Sequence, residues 1–178
     1  MLAKRNMSTP STAIRQTFVA DAFRGDYKNI QNILKTKNVG DVDIKSSIKF
    51  KGKQFNGVSA LWAAAIVGHS VLVDLLLDHS ANVNNADDDG RSVLWAACFG
   101  SHINIVKILL DRGAIYCTEW YTPLSAACES GEFNIVKYLL EKGFSPNDRI
   151  EHGRTALHVA GFNGHTKIVK SLLVNGYR

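Results

Sequence analysis

Cysteine is scarce in this sequence, and what there is does not pair. Cys98, Cys117 and Cys128 make an odd count, three in all, with no CxxC spacing. That suits a reducing compartment better than a disulfide framework. Proline is as rare, at three in 178 residues, so no Pro-rich linker is present. No apolar run approaches the roughly 20 residues that span a bilayer. The opening MLAKRNMSTPSTAIRQ lacks the apolar core of a secretory signal. Catalytic signatures are missing too: there is no HExxH, nucleophile elbow, P-loop or GxGxxG. These absences lead us to expect no enzyme, no cofactor and no metal, and a location in the cytoplasm with the nucleus also open.

What is present is a repeat. The stretch TALHVAGFNGHTKIVKSLL starts at Thr155, and variants of it start at Ser59, Ser92 and Thr122, at spacings of 33, 30 and 33 residues. Each copy predicts a short helix, a glycine turn and a second helix. Ser59, Ser92, Thr122 and Thr155 stand at N-cap positions, where a hydroxyl accepts an orphan backbone N–H. Pro123 takes the first helical position, where a missing N–H costs nothing. Paired small residues follow, such as Ala96 and Ala97, and let helices approach closely. Gly68, Gly131 and Gly164 mark the turn; in the second copy Gly100 comes one place early and Ser101 fills the slot. Gly113, Gly143 and Gly176 follow the second helices where a left-handed cap is needed, with Ser80 in that place in the first copy.

A period near 33 with a Thr-Pro-Leu-His-like opening resembles ankyrin repeats. The resemblance implies an all-α solenoid of helix pairs with β-hairpin finger loops, whose concave face and fingers bind proteins. The expected organisation is a disordered lead-in over 1–11 and a repeat domain over 12–178. Within it, 12–58 is a degenerate capping repeat with a lengthened finger, and 59–91, 92–121, 122–154 and 155–178 are repeats. His69, His102 and His165 sit in the turn slot and His158 at a helix start, which are structural positions. Cys98 and Cys128 share a slot after the paired alanines and are expected to be buried.

Charge is unevenly placed. Residues 1–58 hold 11 Lys/Arg against 4 Asp/Glu, and residues 59–178 hold 10 against 12. The basic front suits an acidic partner. Nucleic acid is the weaker alternative, because no nucleic-acid motif accompanies the charge. From Gly25 to Gly68 is 43 residues, ten more than one period, and the extra length lies between Lys35 and Ser59. There Ile48-Lys49-Phe50-Lys51 alternates like a strand and Gly52 turns it back, which predicts a long finger with Lys49, Lys51 and Lys53 on one side. Asp87, Asp88 and Asp89 predict an acidic finger tip beside Arg91, without the ligand spacing of a calcium loop. The next loop is three residues short, and Trp120 and Tyr121 there are either exposed anchors or fillers of the gap. Candidate partner-binding residues are Lys51, Lys53, Trp62, Asp88, Asp89, Arg91, Phe99, Trp120, Tyr121, Glu129, Arg154 and Phe162.

The stretch IKFKGKQFNGVSALWAA, Ile48–Ala64, is similar to the Fem (feminization) family of ankyrin proteins, through Ile48, Phe50, Gly52, Gly57, Leu61, Trp62, Ala63 and Ala64. The likeness covers about residues 18–116. It implies a substrate receptor of a cullin–RING ubiquitin ligase that holds a substrate's C-terminal tail, often one ending near arginine, by acidic residues. Here Lys51 and Lys53 replace those acids, Gly100 replaces an aspartate and Arg91 a small polar residue. An acidic or free-carboxylate tail is therefore expected in place of an arginine-ended one. The ligase-docking part that the family needs is not in this sequence, and either the front of a longer protein or a divergent copy that lost its docking half is expected. The alternative is a generic ankyrin scaffold with a protein partner and no link to ubiquitin. The final repeat keeps an apolar face at Ile168, Val169, Leu172 and Leu173, which predicts self-association.

Overall fold

A computed structural model describes residues 12–36, 41–115 and 121–176. Five helix pairs follow one another: α1 (Thr12–Arg24) with α2 (Tyr27–Lys35), α3 (Ala60–Val67) with α4 (Ser70–Asp78), and α5 (Val93–Phe99) with α6 (Ile103–Asp111). The last two are α7 (Pro123–Ser130) with α8 (Phe133–Glu141), and α9 (Ala156–Phe162) with α10 (Thr166–Gly176). First helices pack side by side in one row, α1 to α3 to α5 to α7 to α9, and second helices form a row behind them. Ala63, Ala64, Ala96, Ala97 and Ala127 are fully buried between first helices, so the small side chains set the close spacing. Leu72, Leu76, Ile105, Leu109, Ile135 and Leu139 fill the layer between the rows. No helix among the described residues is long and apolar enough to cross a membrane.

Local chemistry starts and stops these helices. Ser59 Oγ accepts from the Trp62 N–H at 3.2 Å, Ser92 Oγ from Trp95 at 3.0 Å and Thr122 Oγ1 from Ser125 at 3.1 Å. At α9 the side chain of His158 completes the cap: its Nδ1 accepts from the Thr155 N–H at 3.1 Å. Ser80 adopts φ 66°, a left-handed residue standing where later repeats carry glycine. In the leading pair, Asp21 is only 4% exposed and accepts from Asn29 Nδ2 at 2.6 Å, so its polar residues are internally satisfied.

The long finger is a two-stranded antiparallel sheet, β1 (Lys45–Phe50) and β2 (Lys53–Ser59). Lys51 and Gly52, at φ 47° and 78°, form a tight two-residue turn whose twist matches the strands. Ile48, Phe55 and Val58 bury one face of the hairpin. The register pairs Phe50 with Lys53 and Lys49 with Gln54. Paired residues share a face and faces alternate, so Lys49 points away from Lys53. The three lysines thus do not cluster on one side; Lys51 and Lys53 alone converge.

Two of the other fingers are simpler than this hairpin. The loop after α4 closes with one bridge, Ala86 to Ser92. The loop after α8 makes a single tight turn, Glu151–Gly153, closed by the Ile150 N–H donating to the Arg154 carbonyl at 2.7 Å. The lead-in over 1–11, Cys117 and Trp120 lie outside the described residues. At the far end the expected apolar face divides. Ile168 and Leu172 turn inward, 1% and 2% exposed, whereas Leu173 is 46% exposed and Val174 82%. The helical period explains this split, since Ile168 and Leu172 share a stripe one turn apart.

Cys98 and Cys128 are buried and unpaired. Burial pushes both thiols up, Cys128 to about 12 and Cys98 further, because the thiolate is poorly solvated there. Neither is expected to react with iodoacetamide at neutral pH in the folded protein, and both should label once denaturant unfolds it. Peptide mapping by mass spectrometry checks this; labelling of either residue under native conditions would contradict the packing.

Candidate functional site

The concave side holds an open groove of about 450 Å³ between the third and last helix pairs. Trp95 forms its floor. That ring stacks on Phe99 at 4.8 Å between centroids and meets Tyr121 edge-on at 6.2 Å. Phe55 of the hairpin packs on Trp62 at 5.0 Å and on Trp95 at 6.2 Å, so the floor is one continuous aromatic layer. Tyr121 and Glu129 stand on one wall; Ile150, Glu151, Arg154, His158, Val159 and Phe162 stand on the other. Phe162 is 93% exposed, the most exposed large apolar side chain described.

Arg91 lies beneath this layer. Its guanidinium carbon is 4.6 Å from the Phe55 ring centre, 5.4 Å from Tyr121 and 5.6 Å from Trp95. Its Nε donates to Asp87 Oδ2 at 2.7 Å, its backbone N–H to Asp87 Oδ1 at 2.8 Å, and its Nη2 to Asp89. Burial raises Asp87 above its ordinary 3.8, and the Arg91 contacts only partly offset that. The aspartate run is therefore mainly an anchor for an arginine under aromatic rings.

The hairpin tip closes the upstream end of the groove. Lys53 Nζ donates to Glu129 Oε1 at 2.7 Å across 76 residues of sequence. Lys53 and Lys51 also sit over the Phe99 ring, 5.0 and 5.4 Å from its centre. Both members of the ion pair are exposed, so it contributes only about 0–1 kcal/mol. At the downstream end Arg154 Nε donates to the Glu151 carbonyl at 3.3 Å.

The structure brings Lys51, Lys53, Phe99, Tyr121, Glu129, Arg154 and Phe162 to this face, and it corrects the sequence reading elsewhere. Trp62 is fully buried, its Nε1–H donating to the Arg91 carbonyl at 2.8 Å, and cannot meet a partner. Phe99 is 5% exposed because the two lysines roof it. Arg91 is a structural residue, its side chain 12% exposed and held by two aspartates. Asp88 and Asp89 lie on a finger that packs on the hairpin, the Asp88 N–H donating to the Asn56 carbonyl at 2.9 Å. Sequence reasoning missed Trp95, His158 and Val159. Trp95 shares the repeat slot of Trp62, and only the hairpin distinguishes the two.

A stack of helix pairs with a grooved concave face defines a repeat scaffold. The family model for ankyrin repeats (three copies) matches residues 18–119 and 114–178, and the chain belongs to the ankyrin-repeat family. No curated protein matches it. Ankyrin repeats mediate protein–protein interactions and are generally not enzymes. The match reaches the ankyrin level and does not extend to the Fem family in particular.

Proposed function

We propose that this protein is a binding scaffold that grips an extended segment of a partner protein in the groove between Tyr121 and Phe162. The observation that carries the reading is the aromatic side chain of Phe162, 93% exposed at the rim of an aromatic-floored groove. An aromatic side chain that a partner buries against an apolar floor, and so removes from water, acts as an anchor of the binding energy.

A finer reading rests on the likeness of Ile48–Ala64 to the Fem family. In it, the segment is the C-terminal tail of a substrate presented to a cullin–RING ubiquitin ligase. The charges around the groove support an altered tail preference. Of the two groove carboxylates, Glu129 is already held by Lys53 and Glu151 lies 3.6 Å from His152, so an arginine-ended tail meets neither free of a neighbour. Arg91 is taken by Asp87 and Asp89, which leaves Arg154 on the groove wall and Lys51 at the hairpin turn over Phe99, neither ion-paired with a carboxylate among the described residues. A free terminal carboxylate or an acidic end suits them.

Fluorescence anisotropy with peptides ending in acid, in arginine or in an amide tests both levels. Phe162→Ala is expected to weaken the best peptide by about 30-fold, the scale of one aromatic anchor. Loss of binding on amidation supports the tail reading. Equal binding of amidated peptides leaves the scaffold and removes the tail; preference for arginine ends removes the altered specificity. No dependence on Phe162 would show that the groove is not the site.

A further inference from the structure

The loop before α9 closes as the loop before α5 does. The Asp87 N–H donates to the Arg91 carbonyl at 3.1 Å, and the Ile150 N–H to the Arg154 carbonyl at 2.7 Å. Arg91 and Arg154 therefore fill one slot, each directly before a helix cap, Ser92 or Thr155. Their surroundings differ. Asp87 and Asp89 hold the Arg91 side chain at 12% exposure. Ile150 and His152 stand in the places of those two aspartates in the later loop. Arg154 keeps one bond, from Nε to the Glu151 carbonyl, and lies exposed on the groove wall. Its two Nη groups take no part in that bond. The Glu151 carboxylate lies 3.6 Å from His152 Nε2 instead, and among the described residues it makes no ion pair with Arg154. Lys51 and Lys53 sit over Phe99 at the upstream end, so Arg154 is the one lysine or arginine that lines the groove.

The two walls match position by position. α7 and α9 pack side by side and start at equivalent caps, Thr122 and Thr155. Residues 33 apart therefore stand at one level: Tyr121 with Arg154, Ser125 with His158, and Glu129 with Phe162, all lining the groove. On the α9 side the three are four residues apart and share a helix face. Their chemistry changes along that face. Arg154 offers a cation. His158 Nδ1 accepts from the Thr155 N–H, so its ring proton is on Nε2, a donor suited to a backbone carbonyl. Glu129 is occupied by Lys53, which leaves the apolar ring of Phe162 to define the last level. Eight helical residues advance about 12 Å. An extended chain rises about 3.3 Å per residue, so about four of its residues cover the same length. Side chains four apart on a strand also share a face, whereas those three or five apart do not.

We propose that the groove selects extended segments carrying a carboxylate and an apolar side chain four residues apart, the carboxylate on Arg154 and the apolar side chain against Phe162. This rests on the groove being the binding site, and it adds the sequence pattern that the site reads. The carboxylate belongs to an aspartate or glutamate within the segment as readily as to a chain end. Arg154 selects it because the loop that carries this arginine lacks the aspartates that occupy its counterpart, Arg91.

Fluorescence anisotropy with peptides blocked at both ends tests it, because without a terminal carboxylate the C-terminal-tail reading has no bearing. Each peptide carries one leucine and one glutamate, three, four or five residues apart and in both orders, in a serine background. In the better order the four-residue spacing is expected to bind about fivefold tighter than the other two, the scale of one exposed ion pair. Arg154→Glu should reverse the charge preference, so that lysine in place of glutamate binds tighter at the same spacing. An arginine that only shaped the loop would, on substitution, weaken every peptide alike. Phe162→Ala should weaken the four-residue peptide and flatten the preference for spacing. The proposal is overturned if binding depends on Phe162 but not on spacing, or if the glutamate preference survives Arg154→Glu; the scaffold reading stands in both cases. It is also overturned if no blocked peptide binds at hundreds of micromolar, whether or not free tails do. Binding that ignores Phe162 altogether removes the groove as the site and takes both readings with it.

Discussion

Replacing Arg91 with alanine is expected to cost about 3–5 kcal/mol, because it strands a buried carboxylate. The Asp87 side chain is completely buried, and Arg91 is its only ion-pair partner among the described residues. The same guanidinium supports the rings of Phe55, Trp95 and Tyr121, so the groove floor loosens with it. For a chain of this size the loss corresponds to a midpoint about 6–20 °C lower in a thermal melt. The pH dependence gives a second readout. Asp87 is raised above 3.8 even with Arg91 present, and losing the cation raises it further. A carboxyl that holds its proton more tightly in the folded state makes stability fall as pH rises through the interval above 3.8. The deficit of the alanine variant should therefore shrink as the pH is lowered from 7 toward the unfolded value. Arg91→Met combined with Asp87→Asn removes both charges and should recover much of the loss. A single variant that melts like the parent would show that the pair is not the support it is drawn to be.

Arg91 also marks where the sequence stops being readable. The helix pairs were legible because their information is local: capping hydroxyls at Ser59, Ser92 and Thr122, turn glycines, and an apolar period all fall within twenty residues of one another. The hairpin was legible for the same reason, since alternation and Gly52 are neighbours. What that hairpin touches was not. The ion pair of Lys53 with Glu129 joins residues 76 apart, and it depends on how the stack curves. Trp62 and Trp95 occupy one slot in adjacent repeats, and their different fates follow from where Phe55 lands. Arg91 read as a free cation next to an acidic tip, although the spacing of Asp87 and Arg91 already allowed a turn in which the first carboxylate folds back on the fifth residue. Burial is what converts that local pairing from surface decoration into support for the aromatic floor.

The turn after α5 supports the other large prediction, in which neighbouring substitutions act in opposite directions. Gly100 comes one place early for a turn glycine, and its backbone, φ −73°, is one that alanine adopts freely. Space is the constraint there. A Cβ at Gly100 would stand 2.2 Å from the Ile66 carbonyl oxygen and 2.7 Å from the His102 ring. The first obstacle is backbone at the end of α3 and cannot rotate away. Gly100→Ala must therefore push the second full repeat off the first and break the bond from His102 Nε2 to that carbonyl, 3.2 Å long. Overpacking and the lost hydrogen bond together cost about 2–4 kcal/mol. Ser101 carries the left-handed conformation instead, φ 74°, which costs an L-residue about 1–2 kcal/mol. Ser101→Gly relieves that strain and, after the added flexibility of the unfolded chain, should stabilise by a few tenths to about 1 kcal/mol. Chemical denaturation of the two variants reads both signs. Burial holds His102 below its ordinary 6.5. NMR titration of His102 separates the cause, because an imidazole released from the junction should titrate nearer to 6.5 in Gly100→Ala and stay depressed in Ser101→Gly. If both substitutions shift stability the same way, the left-handed residue lies at Gly100 and no close contact joins that turn to the Ile66 carbonyl.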